Sequence, residues 1–240
     1  MRSDASRMYR QVHKRLERDG WIDRRERAKK RAPELLPYWV EYDRASNEEV
    51  EAFKSLLREA TKEEEIQQFL KERPILLLDS IIGHRGCICI PKQNLNKHVT
   101  DFLIAWIDSM GFWWLGVELE NPRAQMFTKL GDQTKELTHA IGQIQDWRIW
   151  LSKNADFARR PIADGGYSLI DIEEQLPSHI FIGRRKEQKY DNPARRRQIY
   201  KDSRIEIHPY DWLLERLRLT ISSYHHEIDE KSKSILELEL

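Results

Sequence analysis

The sequence predicts a mixed α/β fold, a central sheet flanked by helices. Three observations carry this. Two apolar runs rich in β-branched and aromatic residues, Val99 to Ile107 and Phe112 to Leu119, flank Asp108-Ser109-Met110-Gly111, the pattern of two strands around a tight turn. From Thr134 to Asn154, Leu137, Ala140, Ile141, Ile144, Trp147 and Leu151 recur at helical spacing. After that helix, short strand-like runs alternate with helix-like ones to about residue 218.

In chain order, residues 1–31 form a charged arm with few apolar anchors, and Pro33 and Pro37 break it. A helix is expected over Glu48 to Ala60 with Asn47 as its cap, and a second from Glu63 to Glu72. Strands are expected near Cys87 to Ile90, over the two runs named above, near His179 to Ile182 and at Ile205 to Ile207. A basic helix near Ala194 to Lys201 and a helix from Asp211 complete the pattern. Residues 1–60 read as a charged, mostly helical extension, 61–220 as the main domain and 221–240 as an amphipathic tail suited to contact with a neighbouring chain, which points to a homo-oligomer.

With 240 residues the chain can bury one sizeable core, and 34% charged against 40% hydrophobic residues is ordinary for a soluble protein. No apolar run approaches the roughly 18 to 20 residues that span a bilayer, and the N-terminus is too charged for a signal peptide, so a cytoplasmic location without membrane contact is expected. Cys87 and Cys89, the only cysteines, lie two apart on one face of a strand and are expected to be reduced; with His84 and His98 they match no standard zinc spacing. No Gly-rich phosphate loop is present, and no organic cofactor is expected.

The net charge of +1 hides two basic segments. Residues 1–32 hold twelve Lys or Arg against five acids, and 184–204 hold nine against three. Such segments attract phosphates without reading sequence. The second, with Arg184, Arg185, Arg195, Arg196 and Arg197, is the better candidate for DNA contact because it follows a strand of the main domain.

The chemistry concentrates on carboxylates. Asp101 sits on the first apolar run, and Glu118 and Glu120 share a face at the end of the second. An acid on an otherwise apolar strand needs a partner, and a divalent cation with oxygen ligands is one of the few that can gather several acids. On the long helix Gln143 borders the apolar stripe, one turn from Ala140 and Trp147.

The order of these features resembles the PD-(D/E)xK nuclease superfamily, and more closely the Shedu family of antiphage defence nucleases. Glu63 to Leu77, with Gln67-Gln68-Phe69-Leu70 and Arg73-Pro74-Ile75-Leu76-Leu77, is similar to that family's opening helix. Asp101-Phe102-Leu103 and Glu118-Leu119-Glu120-Asn121-Pro122 resemble its Asp-Phe-Leu and Glu-Leu-Lys-x-Pro strands, and Gln143 to Trp147 its Gln-x-x-x-Tyr helix motif with Trp in the Tyr place. Ile182-Gly183-Arg184 and Tyr210-Asp211-Trp212-Leu213 resemble its late strand and closing element.

The resemblance implies a restriction-endonuclease-like core and a DNA endonuclease dependent on Mg²⁺ or Mn²⁺. It implies that Asp101, Glu118 and the Leu119 carbonyl hold the ion, that Glu63 or Glu64 adds an outer carboxylate, and that Gln143 contacts phosphate or a bound water. The alternative is a nuclease fold kept for DNA binding or assembly without cleavage. One departure is clear: Glu120 stands where the family pattern has its lysine. The sequence favours Glu120 as an added ligand or base; otherwise a lysine from elsewhere serves, with Lys97 and Lys129 nearest in sequence, or the site is inert.

Overall fold

In the computed structural model, which describes residues 24–41, 44–83, 87–95 and 98–221, the two apolar runs pair antiparallel as β5 (Phe102–Ile107) and β6 (Phe112–Leu119). The turn between them closes through the Asp108 N–H on the Gly111 carbonyl at 3.0 Å, and Gly111 takes φ 129°, which favours glycine. A six-stranded sheet grows around this pair in the order β1-β2-β5-β6-β7-β8. It is formed with β1 (Trp39–Val40), β2 (Cys87–Pro91), β7 (Ser178–Phe181) and β8 (Ile205–His208); a separate hairpin pairs β3 (Asn94–Leu95) with β4 (His98–Val99).

The first four strands of the sheet run antiparallel to one another, and β7 and β8 run parallel to β6. Parallel neighbours need long crossovers. Helix α5 (Lys135–Arg159) joins β6 to β7 and α6 (Pro193–Ser203) joins β7 to β8. Because the sheet order keeps stepping one way, crossovers of one hand lay both helices on the same face. That face buries Leu103, Trp114, Ile180 and Ile205 under Leu137, Ala140, Ile144 and Trp147 of α5, with Ile199 of α6 at the margin.

The opposite face buries Phe102, Ile104, Val117, Leu119 and Phe181. It is covered by α2 (Asn47–Glu59), α3 (Glu63–Glu72), α4 (Pro74–Ile81) and the helical residues 211–221 (α7). Helical residues 24–31 (α1) contribute Ala28 to the α5 face. Within residues 24–60, β1 extends the sheet and α2 inserts Phe53 and Leu57 into the core of this face.

Most element bounds agree with the sequence reading within two residues. Helix α2 is capped by Ser46 rather than Asn47: Ser46 Oγ accepts from Glu49 N–H at 3.1 Å and Glu49 Oε2 accepts from Ser46 N–H at 2.8 Å, a reciprocal capping box. Helix α5 runs on to Arg159 through a kink at Asn154. Helix α4 and strand β1 were not expected as elements. Cys87 and Cys89 are buried and not joined by a disulfide. The basic arm before residue 24, His84, Lys97 and the tail after 221 lie outside the described residues. Among the described residues no helix is long and apolar enough to cross a membrane.

Candidate functional site

The β2/β5 and β5/β6 ladders stop one step short of the chemistry. Their last pairs are Pro91 with Phe102 and Phe102 with Val117. Continuing both registers by one residue sets Lys92, Asp101 and Glu118 in a row across three neighbouring strands. Asp101 is thus not inside a strand as expected; it occupies a bend before β5, while Val99 belongs to the separate hairpin. The bend stays tied to its neighbour through the Lys92 N–H on the Asp101 carbonyl at 2.9 Å.

The Asp101 side chain is buried with both oxygens engaged. Oδ1 accepts from Lys92 Nζ at 2.6 Å and Oδ2 from the Leu119 backbone N–H at 2.9 Å. Lys92 takes φ 52°, the left-handed region that a lysine seldom occupies, and its turn folds the ammonium back onto Asp101. Burial works against the charge of Lys92, but the Asp101 hydrogen bond and the charges of Asp101, Glu63 and Glu118 outweigh it and raise its pKa.

Glu118 is buried, and its Oε2 has no hydrogen-bond partner. Burial first, then the charges of Asp101, Glu63 and Glu120, raise its pKa well above the usual carboxylate range. Glu63, half-buried at the first turn of α3, is pushed up to about 8 by burial and by the Asp101 and Glu120 charges. Glu64 points to solvent. Glu120 is buried with Oε1 3.4 Å from His139 Nδ1 on α5; burial raises its pKa and His139 pulls against it. Gln143 is half-buried one helical turn beyond His139 on the same face. Trp147 is fully buried against Gly116, where a Cβ would lie 3.1 Å from the indole, so its ring belongs to the core.

The late motif acts as a clamp behind this row. Tyr210 Oη donates to the Glu120 carbonyl at 2.7 Å, and Glu120 N–H donates to Phe181 at 2.8 Å. Gly183, at φ 65°, has Ala124 O only 2.1 Å from where a Cβ would stand, so only glycine fits. Arg123, which the sequence reading did not single out, donates to the carbonyls of Arg58 at 2.8 Å and Ala60 at 3.0 Å. It thereby fixes the end of α2, and with it the start of α3 and Glu63, against the exit of β6.

The basic residues divide. Arg184 has a buried guanidinium that holds Asp211 through Nε at 3.0 Å and Nη2 at 2.9 Å and donates to the Leu57 carbonyl. Arg185 is exposed but paired with Glu215 at 2.8 Å. Arg196 binds the Ile207 carbonyl at 3.1 Å and Asp191 at 2.9 Å. Arg195 and Arg197 are exposed on the first turns of α6. Because β7 runs parallel to β6 with Phe181 opposite Leu119, the chain leaves β7 at the sheet end that carries Glu118, and α6 starts from that end. Lys129 is exposed, Lys97 lies outside the described residues, and among the described residues the lysine bonded to Asp101 is Lys92.

Four acids and one lysine therefore converge at one end of the sheet. They stay looser than a formed ion site: among the described residues, three ligand atoms lie within 4.8 Å of one another only at His179, Glu206 and His208. The family model described as Shedu protein SduA, C-terminal, matches residues 60–214, which contain the whole row and its clamp. Among curated proteins none matches the chain significantly.

Proposed function

The chain belongs to the Shedu SduA family, which implies a role in antiphage defence, and from that premise we propose that it is a divalent-cation-dependent DNA endonuclease. The observation that supports this most is the row of Lys92, Asp101 and Glu118 backed by Glu63 and Glu120. A buried Glu118 oxygen without a partner, beside acids whose proton affinity is raised, fits a divalent cation with oxygen ligands better than it fits a structural ion pair. Asp101, Glu118 and the Leu119 carbonyl would hold the ion, with Glu63 in its outer shell. Bound there, Mg²⁺ or Mn²⁺ supplies the polarisation of a phosphate and a water of lowered pKa.

The remaining work falls to the chain's own groups. Lys92 brings a positive charge beside the scissile phosphate and offsets charge that develops there, the task the family gives to the residue at the Glu120 position. That favours the second reading of Glu120, with a lysine delivered from the turn after β2. Glu120, paired with His139, lines the acidic side of the row, and Gln143 donates to a phosphate oxygen. Arg195 and Arg197 bind the DNA backbone at the same sheet end.

Supercoiled plasmid incubated with Mg²⁺, Mn²⁺ or EDTA tests the proposal. Metal-dependent nicking that Asp101→Asn abolishes is the expected result. DNA binding with no cleavage under any metal would favour the alternative, a nuclease fold retained for binding or assembly.

A further inference from the structure

A second constellation lies on the other face of the sheet. His179 pairs in register with Val117 and with Glu206, and alternation along β6 turns Val117 away from Glu118. Here His179 on β7 and Glu206 and His208 on β8 bring one ligand atom each within 4.8 Å of one another. His208 Nε2 lies 3.0 Å from Glu206 Oε2, and His179 Nε2 lies 3.9 Å from Glu206 Oε1. Trp212 of α7 closes one side, stacked on the His208 ring at 4.2 Å.

The hydrogen bonds of this group are incomplete. His179 is only 8% exposed, its Nδ1 has no partner, and its Nε2 stands beyond hydrogen-bond reach of Glu206. A buried imidazole nitrogen left without a partner is costly, and buried polar groups are seldom left so. On the other side of the ring, a cation between Nε2 and the carboxylate would span a gap too long for a hydrogen bond. Glu206 is the most exposed of the three, which leaves one side open to a water as a further ligand.

We propose that His179, Glu206 and His208 form a second metal site, for a borderline-soft ion of the Zn²⁺ class. Two imidazoles and one carboxylate are a zinc donor set, whereas Mg²⁺ takes oxygen ligands. The ion ties edge strand β8 to β7 under α7. The inference does not rest on the nuclease reading, because it uses different residues on the opposite face.

The test uses the full chain carrying Asp101→Asn and Glu118→Gln, so that the acidic row no longer competes for metal. One equivalent of Zn²⁺ should bind and raise the melting temperature, and Co²⁺ in its place should give the intense visible bands of a tetrahedral nitrogen and oxygen site. Adding Glu206→Gln or His208→Gln should weaken Zn²⁺ binding at least roughly tenfold. Weak octahedral-type Co²⁺ bands, no Zn²⁺ uptake, or uptake unchanged in both variants would overturn the site. The Co²⁺ spectrum of the parent protein decides the matter even if a variant misfolds.

Discussion

Lys92 Nζ stands 2.6 Å from Asp101 Oδ1, and the other oxygen of the same carboxylate takes the Leu119 N–H at 2.9 Å. One acid thus links a lysine from the end of β2 to the strand that carries Glu118. The positive charge missing at Glu120 enters this row from the neighbouring strand.

Glu118→Gln should stabilise the metal-free protein by roughly 1 kcal/mol at neutral pH, because an amide in the same volume has no charge to repel Asp101 or to desolvate. The folded-state pKa of Glu118 is raised, so its penalty appears as pH climbs above the ordinary carboxylate value; the gain from the amide should grow with pH. Urea unfolding at pH 5 and pH 8 measures this. Mn²⁺ should raise the melting temperature of the wild type and not of the variant, and an equal metal-induced rise in both would remove Glu118 from the ligand set.

Glu63 makes the pH dependence of the metal-free protein visible. Its pKa is about 8 in the folded chain against an ordinary value of 4.5. Between those values the unfolded chain has released the proton that the folded chain keeps, so this stabilising contribution is whole below pH 4.5 and is lost as pH rises through about 8. Glu63→Gln should flatten the fall of stability across that window, with Mn²⁺ absent. A slope identical to that of the wild type would show that the Glu63 carboxyl is not held away from its charged form.

Arg184 and the α6 arginines should separate stability from DNA binding. Arg184→Ala strands Asp211, whose pKa the fold holds low because the Arg184 and Arg185 hydrogen bonds outweigh its burial; a loss of about 3 kcal/mol is expected on urea unfolding. Replacing Arg195 and Arg197 together by Ala should leave stability within about 0.5 kcal/mol. It should weaken binding to all DNA sequences alike and lower the salt slope by about one per lost phosphate contact. An unaltered salt slope would return these two arginines to a solvated surface.

The sequence made most of the sheet readable because β5, β6 and α5 have strong periodicity and clear ends, such as Thr134, whose Oγ1 accepts from Leu137 N–H at 3.4 Å. Asp101 and Glu118 stood out as acids at the ends of apolar strands. Lys92 did not, because a lysine in a turn after a short strand looks solvated until the register of β2 on β5 is known. That register was within reach, since pairing Pro91 with Phe102 puts Lys92 beside Asp101. The burial of Arg184 was hidden for the opposite reason: nothing local reveals that an arginine in a basic run packs its guanidinium against Asp211, 27 residues later. The two histidines and Glu206 were invisible as a group, because their meeting depends on β7 and β8 being parallel neighbours.

If Lys92 supplies the charge that the family places at Glu120, exchanging the two positions should move that charge without losing it. Single-turnover cleavage with Mn²⁺ should fall about 100-fold in Lys92→Met, in line with removing one charge-stabilising group. The double variant Lys92→Met/Glu120→Lys should regain at least about tenfold of that loss, since a lysine from β6 then reaches the same row. Wild-type rates in Lys92→Met, with DNA binding and fold unchanged, would show that Lys92 does not supply that charge.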